Sequence, residues 1–220
     1  MFYIPASGVD DWKKLLAHPE KHWREGYSAH ALATRWQSAG GFPAEIADVF
    51  AAGGLLNVQM LIGLPEHKVA LPGGVRASQT DLWVLARTAD GLISIAIEGK
   101  VRESFGPTLA EWFAETTPGK TERWSALCDL LSIAPDCDRA LRYQLVHRTA
   151  SAVLEAKRFH AGKALMLVHS FSAHRDGFAD FQAFAHQMGA PISGPGELQR
   201  AGIKSGVELI LGWVEGPPAA

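Results

Sequence analysis

Apolar residues recur at every second position from Ile93 to Ile97, with Ser94 and Ala96 between them and Glu98 following. That alternation marks a β-strand with one face in a core. Upstream, Leu82-Trp83-Val84-Leu85 is a second apolar run of strand composition. Asp90-Gly91 between the runs signals a tight hairpin, because both residues tolerate positive φ. A helix is predicted over residues 42–52, with Pro43 near its start. A strand follows over 57–64, extending through 68–71. Residues 138–158 read as a long helix and 164–170 as a short apolar strand. A helix over 178–188, amphipathic through 179–186, a Gly/Pro-rich loop over 189–196 and a strand over 207–214 complete the pattern.

The hairpin brings chemistry together. On its second arm Ile93, Ile95, Ile97 and Gly99 share one face; Ser94, Ala96, Glu98 and Lys100 share the other. The second face is small until it ends in Glu98 and Lys100, which predicts open space above the sheet. If Asp90 and Gly91 alone form the loop, Asp81 stands opposite Lys100. If residues 88–91 form it, Asp81 stands opposite Glu98. Either even-length loop puts Asp81 on the face of Glu98 and Lys100. A three-residue loop without a bulge would turn it away.

Composition narrows the alternatives. With 220 residues and 47% hydrophobic content, one domain is expected. Its core spans about 42–170, with a helical insertion over 103–135 (helices near 108–116 and 120–132) and a C-terminal extension over 171–220. A net charge of −2 argues against strong nonspecific nucleic-acid binding. Two cysteines, Cys128 and Cys137, and acidic residues as early as Asp10 and Asp11 point to free thiols, no secretory leader and a cytoplasmic protein. The run 55–64 is interrupted by Asn57 and Gln59, so no membrane segment is expected. His169, His174 and His186 match no zinc spacing; Pro72-Gly73-Gly74 and Gly194-Pro195-Gly196 lack the Lys-Ser/Thr of a phosphate loop; Gly-x-Ser-x-Gly is absent.

Two carboxylates and an amine on one face suit a hard divalent cation, which takes oxygen ligands and waters. The cation polarises a phosphoryl oxygen, while a lysine positions the attacking water or acts as a base. Asp81, Glu98-Gly99-Lys100 and their spacing resemble the PD-(D/E)xK nuclease superfamily, the restriction-endonuclease-like fold. The resemblance covers about 42–170 and implies an α/β/α sandwich with a mixed central sheet, built as helix, three antiparallel strands, helix and strand. It implies Mg²⁺ or Mn²⁺ held by Asp81 and Glu98 with the Gly99 carbonyl as a neighbour, and Lys100 acting on the water. Glu45, on the first helix, and Gln144, with His147 and Arg148 about one turn later, are the further site residues implied. The implied activity is phosphodiester hydrolysis in nucleic acid, with DNA favoured. The alternative is a non-catalytic module of the same fold that binds protein or nucleic acid. The chain departs from the signature in having Thr80 where the proline stands, and in its long insertion.

Overall fold

The computed structural model describes residues 8–16 and 18–219. Six strands form one mixed sheet in the order β1-β2-β3-β4-β6-β5. They are β1 (Gln59–Val69), β2 (Ser78–Thr88), β3 (Gly91–Lys100), β4 (Lys163–Ser170), β5 (Leu198–Lys204) and β6 (Val207–Glu215). The first three form an antiparallel meander; β4 lies parallel to β3, and β6 parallel to β4. Helices cover both faces. On one side pack α1 (Val9–Lys13), α3 (Ser28–Ala39) and α4 (Ala44–Ala52). On the other pack α6 (Pro118–Leu131), α7 (Tyr143–Arg158) and α8 (Phe178–Gln187). Two short helices, α2 (Pro19–His22) and α5 (Leu109–Trp112), complete the set. This is the expected α/β/α sandwich with a mixed sheet.

Strand alternation fixes which residues enter which layer. Ile93, Ile95 and Ile97 are fully buried with Leu82 and Val84 against α3 and α4. Each such side chain contributes roughly 1.5–3 kcal/mol on burial. The opposite face is not open, as the small residues suggested. Trp83 lies across it and donates from Nε1 to Ser94 Oγ at 2.9 Å, and α7 packs over Ala96. Ser94 and Ala96 are small because a helix and an indole occupy that space.

The hairpin register pairs Arg87 with Leu92 and Leu82 with Ile97. Thr88 and Gly91 also pair, so the loop is Ala89-Asp90 rather than Asp90-Gly91. One further step along this register sets Asp81 across from Glu98, the outcome expected for an even loop.

Three elements differ from expectation. The helix α7 begins at Tyr143, not near 138, because the preceding segment pairs with the insertion: Leu109 N–H donates to Leu141 O and Ala110 N–H to Arg139 O. The insertion's first helix is only four residues long. Strand β5 was not foreseen. Its sequence, Leu-Gln-Arg-Ala-Gly-Ile-Lys, does not alternate, since a bulge between Arg200 and Ile203 shifts the register. It joins β6 through Ser205-Gly206, both at positive φ, as a two-residue hairpin turn requires.

Candidate active site

Strand β2 starts, β3 ends and α7 starts at the same edge of the sandwich. The side chains of that edge converge. Asp81 leads into the β2–β3 pairing, and its Oδ2 accepts the Gly99 amide at 2.9 Å. Glu98 and Lys100 close β3 and are 2% and 4% exposed. Lys100 Nζ donates to Glu98 Oε1 at 3.1 Å and to Gln144 Oε1 at 3.2 Å. Gln144 Nε2 donates back to Glu98 Oε1 at 2.6 Å. One turn along α7, Arg148 donates from Nε to Glu98 Oε2 at 2.7 Å and from Nη1 to Ser78 Oγ at 3.1 Å. Gln144 and Arg148 face the same way because positions four apart share a helical face.

Gly99 permits this edge to close. A Cβ there would stand 3.3 Å from both the Ser28 carbonyl and Leu32 Cβ, where the N-terminus of α3 crosses β3. Glu103 pins the same crossing by accepting the amides of Ser28, Val101 and Arg102 at 2.9, 2.9 and 3.1 Å.

A third carboxylate, Glu66, joins the group. It stands on β1 between the pairs Pro65–Leu82 and His67–Thr80, hence beside Asp81. Its backbone has φ of 53°, a left-handed conformation uncommon outside glycine. Gln79 Nε2 donates to its Oε2 at 2.6 Å. A cleft of about 350 Å³ lies over these residues, with His18, His22 and Tyr27 among the N-terminal side chains on its rim.

The electrostatics are uneven. Burial and the neighbouring Glu98 push Asp81 up to about 7, against the pull of Arg148 and Lys100. Burial and Asp81 push Glu66 up to about 8. Burial would also raise Glu98, but Arg148 and Lys100 outweigh it and hold this carboxylate below its ordinary value. The positive charge is thus concentrated on Glu98, and Asp81 and Glu66 are left short of it.

Of the expected site residues, Asp81, Glu98, Lys100 and Gln144 come together, and Gly99 contributes its amide to Asp81. Glu45 is not with them. It bonds Arg35 Nε at 2.8 Å, with a second bond from Arg35 Nη2, and pairs with His169 Nε2 at 3.1 Å. His169 is buried and accepts from Trp36 Nε1 at 3.0 Å. Burial would raise Glu45, but the bonds from Arg35 and His169 hold it well below the usual carboxylate range. Glu66, Gln79 and Ser78 were not anticipated as site residues. Extending the register count from β2 to β1 would have placed Glu66 beside Asp81, but the position of the first turn could not be counted from residues 70–77.

Among the described residues no three His, Cys, Asp or Glu side chains converge as a complete metal-ligand set. The donor chemistry nevertheless fits a hard cation. Asp81 and Glu66 are neighbouring carboxylates short of positive charge, and Mg²⁺ commonly takes only one or two protein carboxylates, with waters and substrate oxygens as its other ligands.

Fold and site together define an α/β sandwich protein with a buried acid–base cluster at one sheet edge. The chain belongs to the family described as a domain of unknown function, DUF6946, whose model matches residues 5–218. No curated protein and no solved structure matches it.

Proposed function

We propose that this protein is a Mg²⁺- or Mn²⁺-dependent hydrolase of phosphodiester bonds in nucleic acid, DNA before RNA, with a site akin to that of the PD-(D/E)xK nucleases. The observation that carries the reading is the convergence of Asp81, Glu98, Lys100 and Gln144, from two strands and a helix, beneath one cleft. Asp81, with Glu66 and Glu98 beside it, offers the oxygen donors for the cation. A divalent ion bound there polarises a phosphoryl oxygen and makes its water more acidic. Lys100 donates to Glu98 and Gln144 with its Nζ 4.6 Å from the centre of the Phe105 ring, and its remaining N–H would be the one to reach the water or a phosphate oxygen. Gln144 fixes the direction of that ammonium. The proposal also places the protein in the cytoplasm, where its two buried free thiols persist.

The test is cleavage of DNA and RNA with Mg²⁺ or Mn²⁺. Asp81→Ala and Lys100→Ala each abolish the activity while circular dichroism shows a folded protein. Wild-type protein that cuts neither polymer with any divalent ion defeats the reading. A second reading, a non-catalytic binding module, is favoured by the full engagement of Glu98 and by the net charge of −2. Calorimetric titration with Mg²⁺ separates the two, since an inert module need show no binding that Asp81→Ala removes.

A further inference from the structure

The cleft over the acid–base cluster has two walls. One is the sheet edge with the start of α7. The other is the N-terminal segment, which brings His22, Tyr27, Ser28 and Ala29 to it. That second wall is anchored where α3 begins. Glu103 accepts the Ser28 amide through Oε1 at 2.9 Å, and through Oε2 it accepts the amides of Val101 and Arg102, which directly follow Lys100. Tyr27 precedes Ser28, so the same anchor sets its place in the cleft wall.

Tyr27 is 39% exposed and, among the described residues, is the one exposed aromatic side chain. Among those residues its hydroxyl makes no hydrogen bond and its ring meets no other ring or cation. A single exposed apolar side chain is ordinary on a protein surface. What sets this one apart is that it lines the cleft that also holds Asp81 and Lys100.

Charge and size narrow what the cleft accepts. Glu66, Asp81, Glu98 and Glu103 stand there against Lys100 and Arg148, and both of these cations are bonded to Glu98. His18 and His22 on the rim add positive charge only when protonated. Duplex DNA is bound largely through lysines and arginines that neutralise successive phosphates, and the described residues of the cleft supply no such row. Its volume of about 350 Å³ suits one small ligand rather than a groove running along a double helix. An open aromatic ring, by contrast, holds an unpaired base by its π-face. Bases inside a duplex are stacked on one another and reach such a ring only if extruded.

We propose that the cleft takes an unpaired nucleotide, its base stacked on Tyr27 and its phosphate directed to the edge that carries Asp81 and Lys100, so that the substrate is single-stranded nucleic acid. This deepens the hydrolase reading and rests on its choice of nucleic acid as the substrate. Tyr27 is then a substrate-binding residue with little sequence preference, because every base offers a π-face.

The experiment titrates a single-stranded DNA oligonucleotide containing 2-aminopurine, and the same strand annealed to its complement, with the full chain in Ca²⁺. Affinity is read by anisotropy and stacking by quenching of the 2-aminopurine; cleavage of both forms is followed separately in Mn²⁺. The single strand should bind at least about tenfold more tightly than the duplex, with quenching. Tyr27→Ala should weaken that binding by about tenfold and abolish the quenching, whereas Tyr27→Phe should retain both, which a merely structural tyrosine would not predict. Duplex bound as tightly as single strand, or a Tyr27→Ala protein that binds and quenches like wild type, overturns the assignment, and cleavage in Mn²⁺ then leaves the hydrolase reading standing. Tyr27-dependent binding of the single strand without cleavage of either form supports the assignment and defeats the hydrolase reading. A chain that binds neither form defeats both.

Discussion

Replacing Asp81 by asparagine should make the metal-free protein more stable at alkaline pH. Asparagine keeps the shape and can still accept the Gly99 amide. Asp81 is pushed from 3.8 up to about 7 by burial and by Glu98. A carboxyl with a raised folded pKa contributes stability that is fully present below its unfolded value, near 4. That stability is lost as pH climbs through about 7. Three pH units correspond to about 4 kcal/mol. Asp81 is partly open to the cleft and shares its repulsion with Glu66, so half of this, about 2 kcal/mol, is the working figure. For a domain of this size that is a rise in Tm of about 4–8 °C. Thermal unfolding in EDTA should show the rise at pH 8 and only about a quarter of it at pH 4.5. Saturating Mg²⁺ should remove the advantage by stabilising only the wild type. An Asp81→Asn protein that melts at or below the wild-type temperature at pH 8 in EDTA would refute the electrostatic picture of the site.

Other outcomes follow from the same geometry. Glu45→Ala should cost about 1–2 kcal/mol by removing the acceptor of buried His169 and the partner of half-exposed Arg35, measured by urea unfolding, yet leave nucleic-acid cleavage within about twofold once the protein is folded; loss of cleavage in folded protein would return Glu45 to the site. Because Glu45 is held below the ordinary carboxylate value, its contribution is present above the unfolded pKa and is lost as pH falls through the depressed one, so the Glu45→Ala penalty should shrink in strong acid. Gly73→Ala should destabilise by about 2 kcal/mol or more: Gly73 has φ of +75°, and a Cβ there would collide with the Gly119 carbonyl and crowd Arg123, where the loop between β1 and β2 meets α6. Cys128, pushed up to about 11 by burial and the nearby Cys137, should react with a thiol reagent only after denaturant is added.

The fold was legible where period and punctuation agree. Ile93, Ile95 and Ile97 set the central strand and its buried face, and the parity of the hairpin loop was enough to put Asp81 with Glu98 and Lys100 before any coordinate. Of the two even loops, the one over 88–91 has the observed register, with Arg87 opposite Leu92; Thr88 and Gly91 also pair, which tightens the turn to Ala89-Asp90. Gln144 came from the resemblance, which implies a polar residue on the helix after the third strand; four-residue spacing then sets it on one face with Arg148. Glu66 and Glu45 show where such reasoning stops. Glu66 depends on a second register, set by the eight-residue connection between β1 and β2, and on a left-handed backbone at the residue itself. Glu45 lies on the right helix, but which carboxylate a helix presents to a site depends on its rotation over the sheet, and here that rotation aims Glu45 at Arg35 and His169. Strand β5 was hidden by its bulge, which breaks the alternation that would have revealed it.

The central claim is that Asp81 and its neighbours hold a divalent ion that drives phosphodiester cleavage. The most direct measurement is single-turnover cleavage of an end-labelled DNA by wild-type and Asp81→Ala protein, with Mn²⁺ and with EDTA. The account predicts product only for the wild type and only with Mn²⁺. Equal product from both proteins, or none from either at any metal concentration, would contradict it.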